Sequence, residues 1–395
     1  MQPLKRLKGI KSIPQERGNK WFRFLDRTLG LLGVILFSLR KSRSSFDNRK
    51  IPNPQTILCV KLGAIGDTLL MFPVLKAIKT HFPSCCLTLI CSRNNYEIAR
   101  MWPYFDNLIL FDVGQAVRNP LYFFRFLKKL RDKRADIVLD FGEWSKIEAL
   151  VAAVVPSKLS VGFKTDGQYR HYAQDISIVH RDNVHEVENY ANLVRSLGIP
   201  VNDLNFDLII QDHIKEKVVN LLSNRGINLN NIVVFHPWAT GYKGIFREWP
   251  LKNYVKIAKD LRDFSIIITG SKHNAQRAAN LASQIGNSAF SVAGKFSLQE
   301  TTALLKMAKI VITINTGIMH IAAVLGVPMV ALHGPTNPIR WGPVGADNSK
   351  TIIIKSRASC APCLSLGFDY KCSTGGCMNM ISVDEVREAI EKLLT

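Results

Sequence analysis

The stretch ILCVKLGAIGDTLLMFPVLKAIKTHFP, residues 57–83, decides how the chain folds. It opens with a short apolar run over 57–61, passes through a turn with two glycines, and continues as an amphipathic helical pattern over 72–80. A single acid, Asp67, follows Gly66 at the junction. A buried strand, a glycine turn and a helix in this order are typical of the first unit of an α/β domain with a parallel sheet.

The same alternation of strand and helix continues along the chain and restarts once. A second helical pattern covers 121–133, and buried strands are predicted at 57–61, 87–91, 108–111, 137–140, 160–163, 231–236, 265–270, 310–315 and 329–333. Two sets imply two Rossmann-like, doubly wound parallel-sheet domains, which we assign to residues 51–205 and 206–395. Ligands of such sheets bind beyond the carboxyl ends of the strands, so we expect a cleft between the domains.

The charge of the chain is strongly positive. Its 395 residues contain 52 Lys and Arg against 31 Asp and Glu, a formal net charge of +21. Residues 1–50 alone hold 13 of the basic residues and 3 of the acidic ones. Such a protein seeks anionic partners, which are nucleic acid, acidic lipid or phosphorylated substrates, and charge alone does not choose among them.

The basic first 50 residues also contain an apolar stretch at 29–39. It is about half of the ~20 residues that cross a bilayer, and no small-residue cleavage site follows it. We predict a membrane-associating arm at 1–50, with a helix lying in the headgroup region of an anionic membrane. A helix packed on the protein body is the alternative. A full span would begin at Trp21 and bury Arg23, Asp26 and Arg27, which is costly.

The turn from Lys61 to Asp67 has its own chemistry. It is neither a Walker loop nor G-x-G-x-x-G, because its glycines are three residues apart. Asp67 at the start of a helix is either an N-cap or a catalytic carboxylate aimed into the cleft, and the two readings are compatible. Lys61 and Gly66 are expected on the same, acceptor, side of the cleft.

Two loops of the second domain are suited to phosphate. The loop after strand 231–236 carries Lys243 and Arg247, and cationic side chains beside backbone N–H groups suit a pyrophosphate. A solvated basic loop is the alternative. The loop Asn315-Thr316-Gly317 opens a helix whose backbone N–H groups could hold a phosphate, and the nearby His320 has either a functional or a structural role.

Four cysteines crowd into the C-terminal part of the chain in the pattern C-x2-C-x8-C-x4-C. A zinc site, disulfides and simple packing remain open as explanations. The pattern is formed by Cys360, Cys363, Cys372 and Cys377.

Taken together, these motifs resemble the heptosyltransferase family of bacterial lipopolysaccharide synthesis, glycosyltransferase family 9. The similar stretches are VKLGAIGDTLLMFPVLKAIK, FREWP, VAGKFSLQETTALLKMAKIVITINTGIMHIAAVLGVP, HGPTNPIRWGP and the late cysteine pattern. They run from about residue 55 to the end. The resemblance implies a GT-B architecture, with the acceptor on the first domain and a nucleotide sugar on the second.

The resemblance also implies an inverting transfer from a nucleotide-diphospho-sugar, usually ADP-heptose, with no required metal or other cofactor. By position, Asp67 matches the catalytic acid of the family and Arg247 matches a Lys that contacts donor phosphate. Thr316, Gly317 and His320 match the nucleotide-sugar loop, and Gly294 and Lys295 match a neighbouring donor loop. Asn315, which is also expected at the donor, stands where the family usually has Asp.

The sequence therefore predicts a glycosyltransferase that moves heptose onto a lipid-linked, phosphorylated, lipopolysaccharide-core-type acceptor at the inner face of the bacterial inner membrane. The same fold with another nucleotide sugar and another glycan acceptor is the alternative. A dinucleotide-dependent oxidoreductase is disfavoured, because no G-x-G-x-x-G with a following acid is present. A non-enzymatic protein that binds anionic lipid or nucleic acid is the most distant alternative, and no nucleic-acid partner is expected.

Overall fold

The computed structural model describes residues 20–40, 51–241, 243–364, 372 and 374–395. Within them, two six-stranded sheets are formed, and every pairing between neighbouring strands is parallel. The strands are β1 Thr56–Val60, β2 Cys86–Cys91, β3 Asn107–Leu110, β4 Ala135–Asp140, β5 Ser157–Lys164, β6 Ile176–Val179, β7 Ile232–His236, β8 Ser265–Ile268, β9 Ala289–Ser291, β10 Ile310–Ile314, β11 Met329–His333 and β12 Thr351–Lys355.

Helices connect the strands and cover both faces of each sheet. They are α1 Lys20–Leu25, α2 Leu31–Arg40, α3 Ile65–Leu69, α4 Phe72–His81, α5 Tyr96–Ala99, α6 Val113–Arg118, α7 Pro120–Arg131, α8 Lys146–Val154, α9 Glu186–Arg195, α10 Asp212–Ser223, α11 Leu251–Ala258, α12 Ala275–Ile285, α13 Leu298–Met307, α14 Gly317–Val324, α15 Pro338–Trp341 and α16 Val383–Leu394.

Both sheets have the same topology. The strand orders are β3-β2-β1-β4-β5-β6 and β12-β11-β10-β7-β8-β9. In each parallel sheet, the order in which successive strands are added reverses next to the first strand of that sheet. The reversals lie between β1 and β4 and between β7 and β10, where the strands are almost wholly buried. A doubly wound sheet opens its ligand crevice at this switch point. The predicted pair of Rossmann-like domains is thereby confirmed.

All nine predicted strands are present, with ends that differ by a few residues. Three further strands, β6, β9 and β12, were not predicted from the sequence. They are strands of three to five residues with little or no continuous burial, and each has a neighbouring strand on one side only because it is an edge strand. The first sheet uses residues 56–179 and the second 232–355. The division between residues 205 and 206 stays a prediction.

The first described helices lie against the protein body on one face. Asp26, in a π-helical turn between α1 and α2, is buried and accepts hydrogen bonds from the backbone N–H groups of Lys146 and Ile147 at 2.8 and 3.0 Å. It thus caps the N-terminus of α8 from outside. Gly30 and Val34 continue this buried face, while the opposite face is exposed. The alternative of a helix packed on the protein body therefore holds for the face of this segment that contains Asp26, Gly30 and Val34.

No helix among the described residues is long and apolar enough to cross a membrane. Most of the predicted basic arm, at 1–19 and 41–50, lies outside the described residues.

The two domains are joined by a buried ion pair. Glu186 at the start of α9 accepts a hydrogen bond from Nε of Arg340 in α15 at 3.1 Å, and both side chains are almost fully buried. His180 contacts the other carboxylate oxygen at 2.9 Å. Burial alone would raise the pKa of Glu186, but His180 and Arg340 outweigh it and lower that pKa to about 2.

We expect Arg340→Leu to destabilise the protein by about 3–5 kcal/mol, because it leaves the Glu186 carboxylate buried and short of a partner. Equilibrium denaturation at pH 7 measures the loss. The control is Arg357→Leu, which breaks the exposed pair with Glu385 and is expected to cost less than about 1 kcal/mol. Equal effects of the two substitutions would contradict the prediction. Since the pKa of Glu186 is depressed, its contribution is expected to fade as the pH falls from about 4.5 to 2.

Candidate active site

Asp67 lies in the first turn of the short helix α3, at the carboxyl end of β1. The N-cap of this helix is Ala64, whose extended backbone starts the helix without any side-chain cap. Asp67 is the third helical residue, so the N-cap interpretation is wrong. Asp67 is 7% exposed, and its carboxylate lies 3.9 Å from Nζ of Lys61.

Lys61 supports Asp67 from the protein interior. Its ammonium is fully buried and donates to Glu143 Oε2 at 2.7 Å and to the carbonyl oxygen of Phe141 at 3.0 Å. Burial would lower the pKa of Lys61, but the surrounding acidic groups, led by Glu143, raise it well above its ordinary value. A permanent cation therefore lies next to the Asp67 carboxylate.

Asp67 and five of the eight predicted donor residues line one cavity of about 100 Å³ between the domains. The first domain contributes the α3 turn, and the second contributes the segments that follow β7, β10, β11 and β12. The lining residues are Ala64, Gly66, Asp67, Arg247, Asn315, Thr316, Gly317, His320, Thr336, Trp341 and Leu364. Five segments far apart in the sequence thus meet at this cavity.

Arg247 ends a 3₁₀ turn, Gly244–Arg247, whose neighbours fix its position. Trp249 is buried and its indole N–H donates to the carbonyl oxygen of Ile381 at 3.0 Å. Glu248 pairs with Arg277 at 2.6 Å. One nitrogen of Arg247 donates to the carbonyl oxygen of Thr240, while the buried Nε has no hydrogen-bond partner within the described residues. An unsatisfied buried donor facing a cavity is a group that a ligand can satisfy.

Thr316 is the N-cap of α14, and its hydroxyl is buried without a hydrogen-bond partner in the described part of the chain. The same holds for Nδ1 of His320. Burial lowers the pKa of His320 to about 3, with smaller contributions from His185 and His333. His320 is therefore neutral at physiological pH and serves as a hydrogen-bonding group rather than a cation.

Asn315 has a structural task at the same edge. Its amide Nδ2 donates to the carbonyl oxygen of Trp341 at 2.8 Å. A carboxylate at this position could not donate that bond. Asn315 thereby ties the loop after β10 to α15, which also carries the interdomain Arg340.

Three of the predicted donor residues lie away from this cavity. Lys243 directs its amine to the carbonyl oxygen of Cys372 at 2.8 Å and lies over the ring of Phe246. Lys295 donates to the carbonyl oxygen of Ser291 at 3.1 Å. Gly294 has a positive φ of 72° and packs against the backbone of Lys272. The structure does not bring these three residues to Asp67.

A second cavity of about 150 Å³ adjoins the first and shares Ala64 and Gly317 with it. Trp144, Ser145 and Glu148 line it on the side of the first domain. Burial, opposed mainly by Lys61, raises the pKa of Glu148 to about 7. Sequence reasoning missed these residues, although the stretch FGEWSKIEAL directly after β4 was a signal, because it places acids at the carboxyl end of a central strand.

The C-terminal cysteines give no support to the zinc hypothesis. None of the four cysteines forms a disulfide bond, and no group of three or more His, Cys, Asp or Glu among the described residues is placed to hold a metal ion. Burial and the neighbouring thiols raise the pKa of Cys377 to about 11.

Comparison with known proteins agrees with this architecture. The model of glycosyltransferase family 9 (heptosyltransferase) matches residues 123–373, which is more than half of the chain. The chain belongs to this family. It is therefore a glycosyltransferase of the heptosyltransferase type, and the family match begins beyond Asp67, whose role stays a proposal.

Relatives of this enzyme cover most of its length. It is 21% identical to the lipopolysaccharide core heptosyltransferase OpsX of Haemophilus influenzae, over 86% of this chain and 97% of that protein. The crystal structure of a family 9 glycosyltransferase from Veillonella parvula has a TM-score of 0.73, at 20% identity over 86% and 97% of the two chains. The ADP-heptose heptosyltransferase II of E. coli has a TM-score of 0.65, at 21% identity over 86% and 98%. These solved structures confirm the GT-B fold.

The two domains contact each other where α3 and α14 meet. A Cβ atom added to Gly66 would lie 2.7 Å from Cδ2 of His320, and one added to Gly317 would lie 2.8 Å from Cβ of Ile65 and 3.3 Å from the backbone nitrogen of Gly66. Both glycines are thus required by the approach of the two domains. Gly66, Gly317 and His320 also line the cavity that contains Asp67, so the contact between the helices forms part of its wall.

We expect Gly317→Ala to lower kcat/KM of sugar transfer roughly tenfold or more, because its methyl group would push α3 and α14 apart and a small displacement of reacting groups is costly. Steady-state kinetics measures the loss. The control is Gly376→Ala, since a Cβ atom there meets nothing within 4 Å. Wild-type kinetics of Gly317→Ala would show that the contact between the helices does not set the geometry of the site.

Proposed function

We propose that this enzyme transfers heptose from ADP-heptose onto a lipid-linked acceptor of the lipopolysaccharide-core type, with inversion at the anomeric carbon. One observation supports the proposal most strongly. Asp67 of the first domain shares a cavity with Arg247, Thr316 and His320 of the second. A base and a set of groups for a departing diphosphate thereby face each other.

The donor proposal rests on the second domain and on the relatives. The backbone N–H groups at the start of α14 suit a phosphate, and Arg247 offers a guanidinium with an unsatisfied buried Nε. Solved relatives from E. coli are described as bound to ADP and to an ADP-2-deoxy-2-fluoro heptose. We propose that these groups stabilise the leaving diphosphate without a divalent cation. A donor with another base remains the alternative.

The acceptor proposal rests on the first domain. An acceptor hydroxyl oxygen attacks the anomeric carbon, the bond from that carbon to the diphosphate oxygen breaks, and its electron pair leaves with the nucleoside diphosphate. Asp67 takes the hydroxyl proton as the new bond forms. The adjoining cavity with Trp144 and Glu148 offers an aromatic surface and a hydrogen-bonding carboxyl group for the acceptor sugar. Relatives named as lipopolysaccharide core heptosyltransferases support this acceptor class.

An acceptor anchored in lipid places the enzyme at a membrane. We therefore propose peripheral association with the anionic inner face of the inner membrane, supported by the basic residues concentrated in 1–50.

Asp67→Asn is expected to lower kcat by a factor of about 10²–10⁴, since the amide cannot accept the hydroxyl proton. Binding of ADP, measured by isothermal titration calorimetry, is expected to persist. The control is Asp166→Asn, which neutralises an exposed carboxylate elsewhere on the first domain. NMR of the product tests inversion in the same reaction. Substantial turnover by Asp67→Asn would refute the assignment of the base.

Arg247→Ala is expected to raise the KM for the nucleotide sugar and the Kd for ADP by about 10–100-fold, because a charge-assisted hydrogen bond to phosphate is lost. Lys295→Ala is the matched control, since it removes a cation of the same domain that lies outside the cavity. Equal losses in the two variants would argue against a specific phosphate contact. ADP against UDP in the same titration decides between the proposed base and the alternative.

A further inference from the structure

We propose that α2 and α7 together form a docking surface for an anionic lipid bilayer. This lipid-docking surface consists of the exposed apolar side chains of the two helices and the basic side chains of α7. The inference rests on the proposed membrane association and identifies the surface that would contact the membrane. Helix α7, which is half of this surface, belongs to the folded first domain rather than to the N-terminal arm.

The first half of the surface is the outer face of α2 and the turns before it. Phe24, Leu29, Leu32, Ile35 and Leu36 are between 43% and 64% exposed. A folded protein rarely leaves a row of large apolar side chains in water without a binding role. The row cannot turn inward, because the inner face of the same helix is fixed on α8 through Asp26, Gly30 and Val34.

The second half is the outer face of α7. Phe126 and Leu130 bury the inner face, while Leu121 and Phe124 are each 65% exposed. Basic side chains in and beside this helix are also exposed, among them Arg118, Arg125, Lys128, Lys129 and Arg131. An amphipathic helix with exposed apolar side chains among basic ones is the pattern of a helix that lies in a membrane interface.

The two halves belong to one side of the first sheet. Helices α2 and α7 both pack on α8. Phe37 of α2 and Phe123 of α7 both pack on the core cluster that contains Phe126. Next to α2, the 3₁₀ turn Arg170–Ala173 and the residue before it present Tyr169 and Tyr172 half exposed. Tyrosine is enriched at the level of lipid headgroups.

Charge complementarity identifies the partner as a bilayer of anionic lipids. Apolar side chains enter the acyl boundary, and each basic residue near the surface adds to the attraction. Asp132 is the one acid between Arg118 and Arg134, so this part of the surface repels cations and attracts lipid phosphate. A second copy of the chain would bring the same cations face to face.

Flotation of the full-length protein with vesicles tests the proposal. The vesicles are made either of phosphatidylcholine alone or of phosphatidylcholine with phosphatidylglycerol. Wild-type protein is expected to bind only the second kind, and less at high salt. Leu121→Asp/Phe124→Asp on α7 and Leu32→Asp/Leu36→Asp on α2 are each expected to weaken the binding by about tenfold or more, because apolar contact is replaced by repelled charge.

Ile209→Asp/Met380→Asp is the matched control, since these side chains are 50% and 53% exposed outside the lipid-docking surface. It is expected to bind vesicles like wild type. Thermal unfolding of every variant shows whether the substitutions at exposed positions leave the fold intact. Lys128→Glu/Lys129→Glu supplies a second test of α7 that leaves its apolar contacts in place, and it is expected to reduce binding to the anionic vesicles specifically.

Vesicle binding of both α7 variants at wild-type strength would overturn the proposal, and so would equal binding of wild type to neutral vesicles. Sedimentation velocity tests the alternative that a second copy of the chain occupies this surface. A wild-type dimer that becomes monomeric in Leu121→Asp/Phe124→Asp would show that the surface is an interface between two chains instead. Turnover with a soluble, lipid-free acceptor is expected to be the same in all these variants. If the wild-type protein showed no turnover with this acceptor, the proposed sugar transfer would be contradicted. If the wild-type protein turned over the acceptor but did not bind vesicles, only the docking surface would be overturned.

Discussion

Helices α3 and α14 approach each other across the interdomain cleft so closely that neither Gly66 nor Gly317 has room for a side chain. Each helix begins at the carboxyl end of a central strand, β1 or β10, so the contact joins the switch points of the two sheets. The buried pair of Glu186 and Arg340 joins the same two domains. The relative position of Asp67 and the donor loops follows from these contacts, because no single element carries both.

The charges of the site are divided between the two domains. On the first domain, the Lys61 ammonium lies 2.7 Å from the carboxylate of Glu143 and 3.9 Å from that of Asp67, which lines the cavity. On the second domain, burial lowers the pKa values of His320 and His333 to about 3 and about 4, so that both are neutral. In the proposed reaction, the attraction for a diphosphate comes from Arg247 and from the N-terminus of α14. The proposed base then faces a modestly positive centre for the leaving group, an arrangement that suits proton removal coupled to diphosphate departure.

The sequence predicted which loops lie at the carboxyl ends of the strands, but it did not predict where the side chains of those loops point. Asp67, Arg247 and Thr316 follow the ends of β1, β7 and β10, and parallel strands bring those ends to one edge. Lys243 and Lys295 follow the same rule, yet their amines bond to the carbonyl oxygens of Cys372 and Ser291. Periodicity does not encode such choices. Glu148 was missed for a related reason, since its contact with the backbone of Leu62 joins residues 86 positions apart.

Helix α8 links the outer surface of the first domain to the cleft. Its N-terminus is capped by Asp26, next to the exposed apolar row of α2, and its first residues include Glu148 in the cavity beside Asp67. One rigid element of nine residues therefore connects the helix that would contact lipid with the wall that would contact acceptor sugar. If the bilayer holds α2 and α7, the distance from the lipid surface to the acceptor cavity is fixed by the fold, and no domain movement can change it. An acceptor whose sugar extends a set distance from its lipid anchor would be selected by that geometry as well as by contacts in the cavity.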